Sequence, residues 1–121
     1  MTFGPQVRYL AKRTTRDGVT YASRGEADWV AGLQLRQLAG EISGLELQPA
    51  FRIELNGQWV CTVKADATWI EAGRRRWGDY KGVTGDTPVS RLKRRLVRAC
   101  HGVEIEIFGP AARRKKRGKA Q

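Results

Sequence analysis

Three side chains in one stretch have the types and spacing for phosphate chemistry: Asp66, Asp79 and Lys81. Ala72-Gly73 reads as a two-residue turn between strands. That turn length sets Glu71 across from Arg74, Trp69 across from Arg76, and Asp66 across from Asp79. Directly opposed residues have Cβ atoms ~5 Å apart, where two like charges repel. A divalent cation removes that repulsion, and Mg²⁺ takes one or two carboxylates together with water and phosphate oxygens. Lys81, two residues past Asp79, points to the same face about 6.6 Å along the strand. An ammonium there can orient or deprotonate an attacking water, or neutralise charge developing on phosphate. These are the requirements of metal-assisted phosphodiester hydrolysis. A longer turn would shift the register. The same residues on the wet face of a sheet would be ordinary surface charges, and the spacing alone does not choose.

The elements that would position them follow from turns and periodicity. Thr14–Arg16 and Val19–Tyr21 flank Asp17-Gly18 and read as a short hairpin. Ser23-x-x-Glu26 is a capping box that opens a helix over 24–39, ended by Gly40. Its inward stripe is Trp29, Val30, Leu33 and Gln37, with Leu38 beside it. Glu26 lies on that stripe one turn earlier, so it can serve the cap, the site or both. From Leu45 the period becomes two, and Asn56-Gly57 marks a hairpin turn into a long strand over 58–70. A third strand ends at Asp79-Tyr80-Lys81-Gly82. Thr87-Pro88 starts a second helix running to about residue 100. Its apolar stripe is Val89, Leu92, Leu96 and Ala99/Cys100. The last strand covers 103–108 and stops at Gly109-Pro110. The order is helix, three-strand meander, helix, strand: an α/β (α+β) domain over 1–109 with a disordered basic tail over 110–121.

The formal charge is +11, and six of those charges lie in the last nine residues. They include Arg113, Arg114, Lys115, Lys116 and Arg117. The rest of the chain still carries about +5. Such a balance points to a polyanion, because Lys and Arg release counterions from phosphates. Arg91, Arg94, Arg95 and Arg98 recur at helical spacing and read as a phosphate-contacting track rather than a merely solvated face. No apolar run reaches the ~20 residues that span a membrane, and the first residues carry no signal-peptide pattern. A cytoplasmic protein without a membrane partner is expected. Cys61 and Cys100 read as reduced core thiols, and the single His101 as a surface or cap residue. No set of Cys and His is available for zinc. Gln48 is either a polar edge residue or a support of the site. Trp59, Trp69 and Trp77 read as core or stacking-face residues, and Trp77 shares a face with Asp79.

Taken in order, Ser23…Glu26-Ala27, Leu47-Gln48-Pro49, Ala65-Asp66 and Asp79-Tyr80-Lys81-Gly82 resemble a family of small phage-encoded proteins. That family is identified as a member of the PD-(D/E)XK nuclease superfamily. The likeness covers about residues 7–109. It implies a restriction-endonuclease-like core and an Mg²⁺- or Mn²⁺-dependent deoxyribonuclease acting in phage DNA metabolism within a host cytoplasm. It implies that Asp66 and Asp79 are metal ligands, that the Tyr80 carbonyl adds a third oxygen, that Lys81 is the motif lysine, and that Glu26 is the helix glutamate turned to the metal. The aliphatic residues that usually precede the second acid are replaced here by Arg76-Trp77-Gly78. Branched DNA or a Holliday junction is the first substrate class to test, and paired cuts would need a homodimer. The competing reading is a non-catalytic basic nucleic-acid-binding protein on the same fold. Removing residues 111–121 is expected to weaken DNA affinity and flatten its dependence on salt. A fluorescence-anisotropy titration over a salt series checks this, and an unchanged slope would reject a DNA-binding tail.

Overall fold

The computed structural model describes residues 13–112. The expectations for Arg113, Arg114, Lys115, Lys116 and Arg117 therefore lie outside the described residues. Strands β1 (Thr14–Arg16) and β2 (Val19–Tyr21) form the expected hairpin, with Asp17 and Gly18 both at positive φ. Helix α1 spans Arg24–Leu38, and its Ser23 cap accepts the Glu26 N–H at 3.1 Å. Glu26, Ala27, Val30 and Leu33 are its buried side. The inward stripe stops there, because Leu38 is 85% exposed. Gln37 is exposed as well, and its amide oxygen accepts the Leu45 N–H at 2.9 Å.

The meander is more articulated than its period-two pattern suggests. Each of its first two strands is broken once, giving β3 (Ser43–Leu47), β4 (Ala50–Leu55), β5 (Gln58–Lys64) and β6 (Ala67–Glu71). The pairing nevertheless runs through the break. Leu47 pairs with Ala67 and Ala50 with Lys64 in one register. Between them the Gln48 N–H bonds Asp66 O, and the Ala65 N–H bonds Pro49 O, both at 3.0 Å. Gln48 sits at φ 55°, in the left-handed region, and Pro49 follows it. The two strands thus bend together as one ribbon, which alternation of side chains cannot reveal.

Strand β7 (Arg74–Tyr80) joins β6 through Ala72-Gly73, with Glu71 opposite Arg74 and Trp69 opposite Arg76 as the turn length requires. Helix α2 (Pro88–His101) then carries the chain over to β8 (Ile105–Phe108), which lies parallel to β7. A parallel neighbour needs such a crossover. The sheet order is β3-β6-β7-β8, and β4-β5 projects as a two-stranded extension. The architecture is mixed α+β. Residues 110–112 add a helical turn past the expected boundary at 109, and Ala111 there is buried.

Apolar residues cover the sheet from two sides. Leu33 of α1 packs with Ile42, Ala67 and Trp69, joined by Trp29 and Phe108. Val97 of α2 packs with Phe51, Ile53, Val63, Ala65 and Ile105, joined by Trp77 and Leu96. Full burial of an aliphatic chain such as Ile53 or Val97 stabilises by about 1.5–3 kcal/mol.

Helix α2 is turned away from its expected stripe. Val97 is buried, whereas Val89 and Leu92 are 61% and 52% exposed, and Ala99 and Cys100 are also exposed. Arg94 explains the rotation. Its side chain is only 13% exposed and ion-pairs with Asp86 at 2.9 Å, while it also bonds Ser90 Oγ at 2.9 Å. Arg94 is therefore a packed anchor and not part of an outer phosphate track. Arg91 bonds the Asp86 carbonyl at 2.7 Å, Arg98 stands 3.9 Å from Glu104, and Arg95 is exposed. Cys61 is half-buried and Cys100 exposed, both as free thiols, so only Cys61 fits a core role. His101 is exposed, with its ring against Phe51 and Nε2 2.8 Å from Arg52 O.

The unusual Arg76-Trp77-Gly78 run has a use at each position. Arg76 grips Glu106 with two bonds of 2.8 and 2.6 Å and Glu71 with one of 2.9 Å. Its guanidinium also lies over the Trp69 and Phe108 rings. Trp77 packs on the Val97 side. At Gly78 a Cβ would lie 2.8 Å from Phe108 and 3.0 Å from Trp29, so only glycine lets these rings close over β7. Among the described residues no helix is long and apolar enough to cross a membrane. Gly78→Ala is expected to cost about 1–3 kcal/mol by overpacking and to lower Tm by about 5 °C or more. Thermal unfolding followed by circular dichroism checks this.

Candidate active site

The β6–β7 register carries Asp66 and Asp79 to facing positions at the end of the pair, one step beyond Ala67 and Gly78. Each carboxylate is held by the opposite strand's backbone. Asp79 Oδ1 accepts the Asp66 N–H at 3.0 Å, and Asp66 Oδ2 accepts the Tyr80 N–H at 2.7 Å. Lys81 Nζ stands 3.9 Å from Asp79 Oδ2. Glu26 arrives from the first turn of α1, is 7% exposed, and lies close enough to Asp66 for the two charges to act on each other. The structure thus brings Glu26, Asp66, Asp79 and Lys81 together.

Local packing sets the reach of Glu26. The neighbouring Gly25 lies against the Tyr80 ring, where any Cβ would overlap ring atoms. Trp29 also packs on Tyr80, with centroids 6.3 Å apart. The first turn of α1 therefore rests on the residue next to Asp79. The Tyr80 side chain belongs to that packing, and its N–H is what touches Asp66. Gln48 reaches the site only through its backbone, by the bond to Asp66 O. Its side chain is exposed. Trp69 is buried in the core, Trp77 is half-buried, and Trp59 is 54% exposed on the β4-β5 extension.

Burial acts on all three acids, and a neighbouring acid's charge adds to it at Asp66 and Glu26. Asp66 is pushed up to about 7, first by burial and then by the charges of Asp79 and Glu26. The Tyr80 N–H and Lys81 oppose that rise. Burial likewise raises Glu26, and Asp79 adds to it. Asp79 is raised by burial too, although Lys81, the Asp66 N–H and Arg94 pull it down. Neighbouring buried carboxyls that repel one another are relieved by a proton or by a cation. An all-carboxylate donor set is the chemistry that a hard divalent ion takes. Among the described residues, however, no three side chains of Asp, Glu, His or Cys close on a single point.

Beside Asp79 and Lys81 opens a cavity of about 280 Å³, walled by β5, the 82–87 loop and the start of α2. Lys64, Lys93 and Arg94 line it. Lys64 and Lys93 were not singled out by sequence reasoning, though Lys64 stands two residues before Asp66. The loop is pinned by the Arg94–Asp86 pair and by the Thr87 cap, which accepts the Ser90 N–H at 3.1 Å.

Fold and site define a mixed α+β protein with an acidic cluster and a lysine at the end of two paired strands. The chain belongs to the family described as "Protein of unknown function (DUF1064)", whose model matches residues 6–106. No curated protein and no solved structure matches it.

Burial of Asp66 predicts a pH signature. Its carboxyl titrates at about 7 in the folded chain and near 3.8 as a free side chain. The folded state therefore holds a proton that the unfolded state lacks between those values. That stabilisation is complete below pH 3.8 and is lost as pH rises through 7. Asp66→Asn, which removes the charge, is expected to exceed wild-type stability by about 2 kcal/mol at pH 8 in EDTA. The gap should close toward pH 5. Urea unfolding at both pH values measures it.

Proposed function

We propose that this chain hydrolyses phosphodiester bonds in DNA with the help of a divalent cation, Mg²⁺ or Mn²⁺. The observation that carries the reading is the placing of Asp66 and Asp79 opposite each other at the end of the strand pair, beside Lys81, with buried Glu26 close enough to act on the charge of Asp66. An isolated cluster of this kind is costly, and a cation relieves it. The element order gives further support. A helix, antiparallel strands β3, β6 and β7, then α2 and a parallel β8 follow the order that the sequence resemblance to PD-(D/E)XK nucleases implies.

In this reading Asp66, Asp79 and Glu26 hold the cation, and the Tyr80 carbonyl adds an oxygen. When bound, the ion supplies Lewis-acid stabilisation to the phosphate. Lys81 orients the attacking water and neutralises charge that builds on the phosphate oxygens. Water's oxygen bonds phosphorus, the bond to the leaving sugar oxygen breaks, and a phosphomonoester and an alcohol result. Arg91, Arg95 and Arg98 on α2, with the basic segment at 113–117, supply phosphate contacts along the strand. One site cuts one strand, so paired cuts require two copies of the chain. Branched DNA is the favoured substrate form, and a phage-related role in a host cytoplasm follows from the resemblance alone.

The second reading is a nucleic-acid-binding protein without catalysis. It is favoured by the failure of the carboxylates to close on one point. The deciding experiment incubates the protein with supercoiled plasmid and with a four-way junction, in Mg²⁺, Mn²⁺ or EDTA. Metal-dependent nicking is expected, reduced about a hundredfold or more by Asp66→Asn, Asp79→Ala and Lys81→Ala. Binding without nicking, or nicking indifferent to all three substitutions, would favour the second reading. The cation competes with the proton on Asp66, so the rate should rise through pH 7.

A further inference from the structure

The cavity beside Asp79 and Lys81 has a wall of unusual charge. Lys64 comes from the end of β5, Lys93 and Arg94 from α2, and Lys81 from just after β7. Arg94 is satisfied by Asp86 and Ser90, and Lys81 stands near Asp79. Lys64 and Lys93 form no ion pair among the described residues, yet both face the same space. Both side chains are exposed, and two unpaired ammonium groups on the wall of one cavity favour an anion there. The positive end of α2 opens onto the same space at Thr87 and Ser90 and adds to the field. Its contribution is a dipole and not a nest of amides, because Pro88 has no N–H and the Ser90 N–H is taken by Thr87 Oγ1. The volume, about 280 Å³, is many times the ~30 Å³ share of one water. A phosphate with its adjoining sugar fits such a space.

We propose that this cavity is a seat for a second phosphate of a DNA strand, gripped by Lys64 and Lys93 and set beside the phosphate to be cut. The proposal rests on the nuclease reading for which strand is held, and not for the presence of the anion site. Lysines grip phosphate as mobile point charges and suit a phosphate of either kind, at a strand end or within the chain. Arg94 is the fixed floor of the seat, locked by Asp86 so that the 82–87 loop keeps the cavity open. A seat there would fix the strand's position relative to Asp79 and Lys81, and so which bond is presented.

The test uses the full-length chain in EDTA, so that no cleavage chemistry is required. Inorganic phosphate is titrated while backbone amide resonances are followed by NMR. Shifts are expected at Lys64 and at Thr87–Lys93, with Lys64→Ala and Lys93→Ala each weakening the midpoint several-fold and Lys93→Glu abolishing it. Short oligonucleotides with and without a 5′-phosphate separate the two sources. A preference for the phosphorylated end marks a terminal phosphate, and equal binding marks an internal one. Each lysine substitution should also lower the salt slope of oligonucleotide binding by about 1. Midpoints unchanged in both alanine variants, or shifts that avoid the cavity wall, would overturn the seat. Phosphate bound in EDTA by a chain that never nicks plasmid would retain the seat and reject the nuclease.

Discussion

Three acidic groups that repel one another are held within reach at the end of β6 and β7, and much of the molecule serves that forced proximity. Two of them are fastened by backbone N–H groups of the facing strand, which donate to Asp66 and Asp79 across the ladder. Strand pairing, and not any side-chain ion pair, thereby keeps the charges together. A protein with no purpose for such a cluster would gain stability by dispersing it. Burial first, and the charges of Asp79 and Glu26 second, raise the titration of Asp66.

The rest of the structure can be understood as supports for that end of the sheet. Helix α1 delivers Glu26 because its first turn is seated on Tyr80, where Gly25 leaves room for the ring. The far end of β7 is clamped by Arg76, which bonds Glu71 and Glu106 and lies over two aromatic rings. Glu71 is held at about 2 by its bonds to Arg36 and Trp69, so it stays charged as a counterpart for that clamp. On the other face α2 is locked by Arg94 and Asp86, which also fixes the loop following Lys81.

How much of this was readable from the residues depended on the range of the forces involved. Local signals read well. Asp17-Gly18, Asn56-Gly57, Ala72-Gly73 and the Ser23 and Thr87 caps are decided by neighbouring backbone conformations, and the turn at Ala72-Gly73 alone implied that Asp66 faces Asp79. Glu26 was legible from helical spacing. The failures were tertiary. Leu38 on α1 and Val89 and Leu92 on α2 fitted apolar stripes but face water, and on α2 the burial of Arg94 with Asp86 sets how the helix rolls. Arg94 consequently looked like a surface contact. The bend at Gln48 stayed hidden because side-chain alternation persists through it. Lys64 and Lys93 lie far apart in sequence, and only the crossover of α2 brings them to one cavity.

The continuous register through that bend has a consequence for how this protein can vary. The β4-β5 arm is a ladder whose two rails count in step from Ala50 and Lys64 as far as Ile53 and Cys61, beyond which the register slips by one residue. Removing or adding rungs at its tip leaves every pairing on the sheet side unchanged. A change of two residues per rail also keeps each side chain on its original face. The arm can therefore grow, shrink or exchange its exposed Leu55, Trp59 and Val60 without disturbing the acids below. Reach and surface chemistry on that side are free to diverge while the centre of the molecule stays the same.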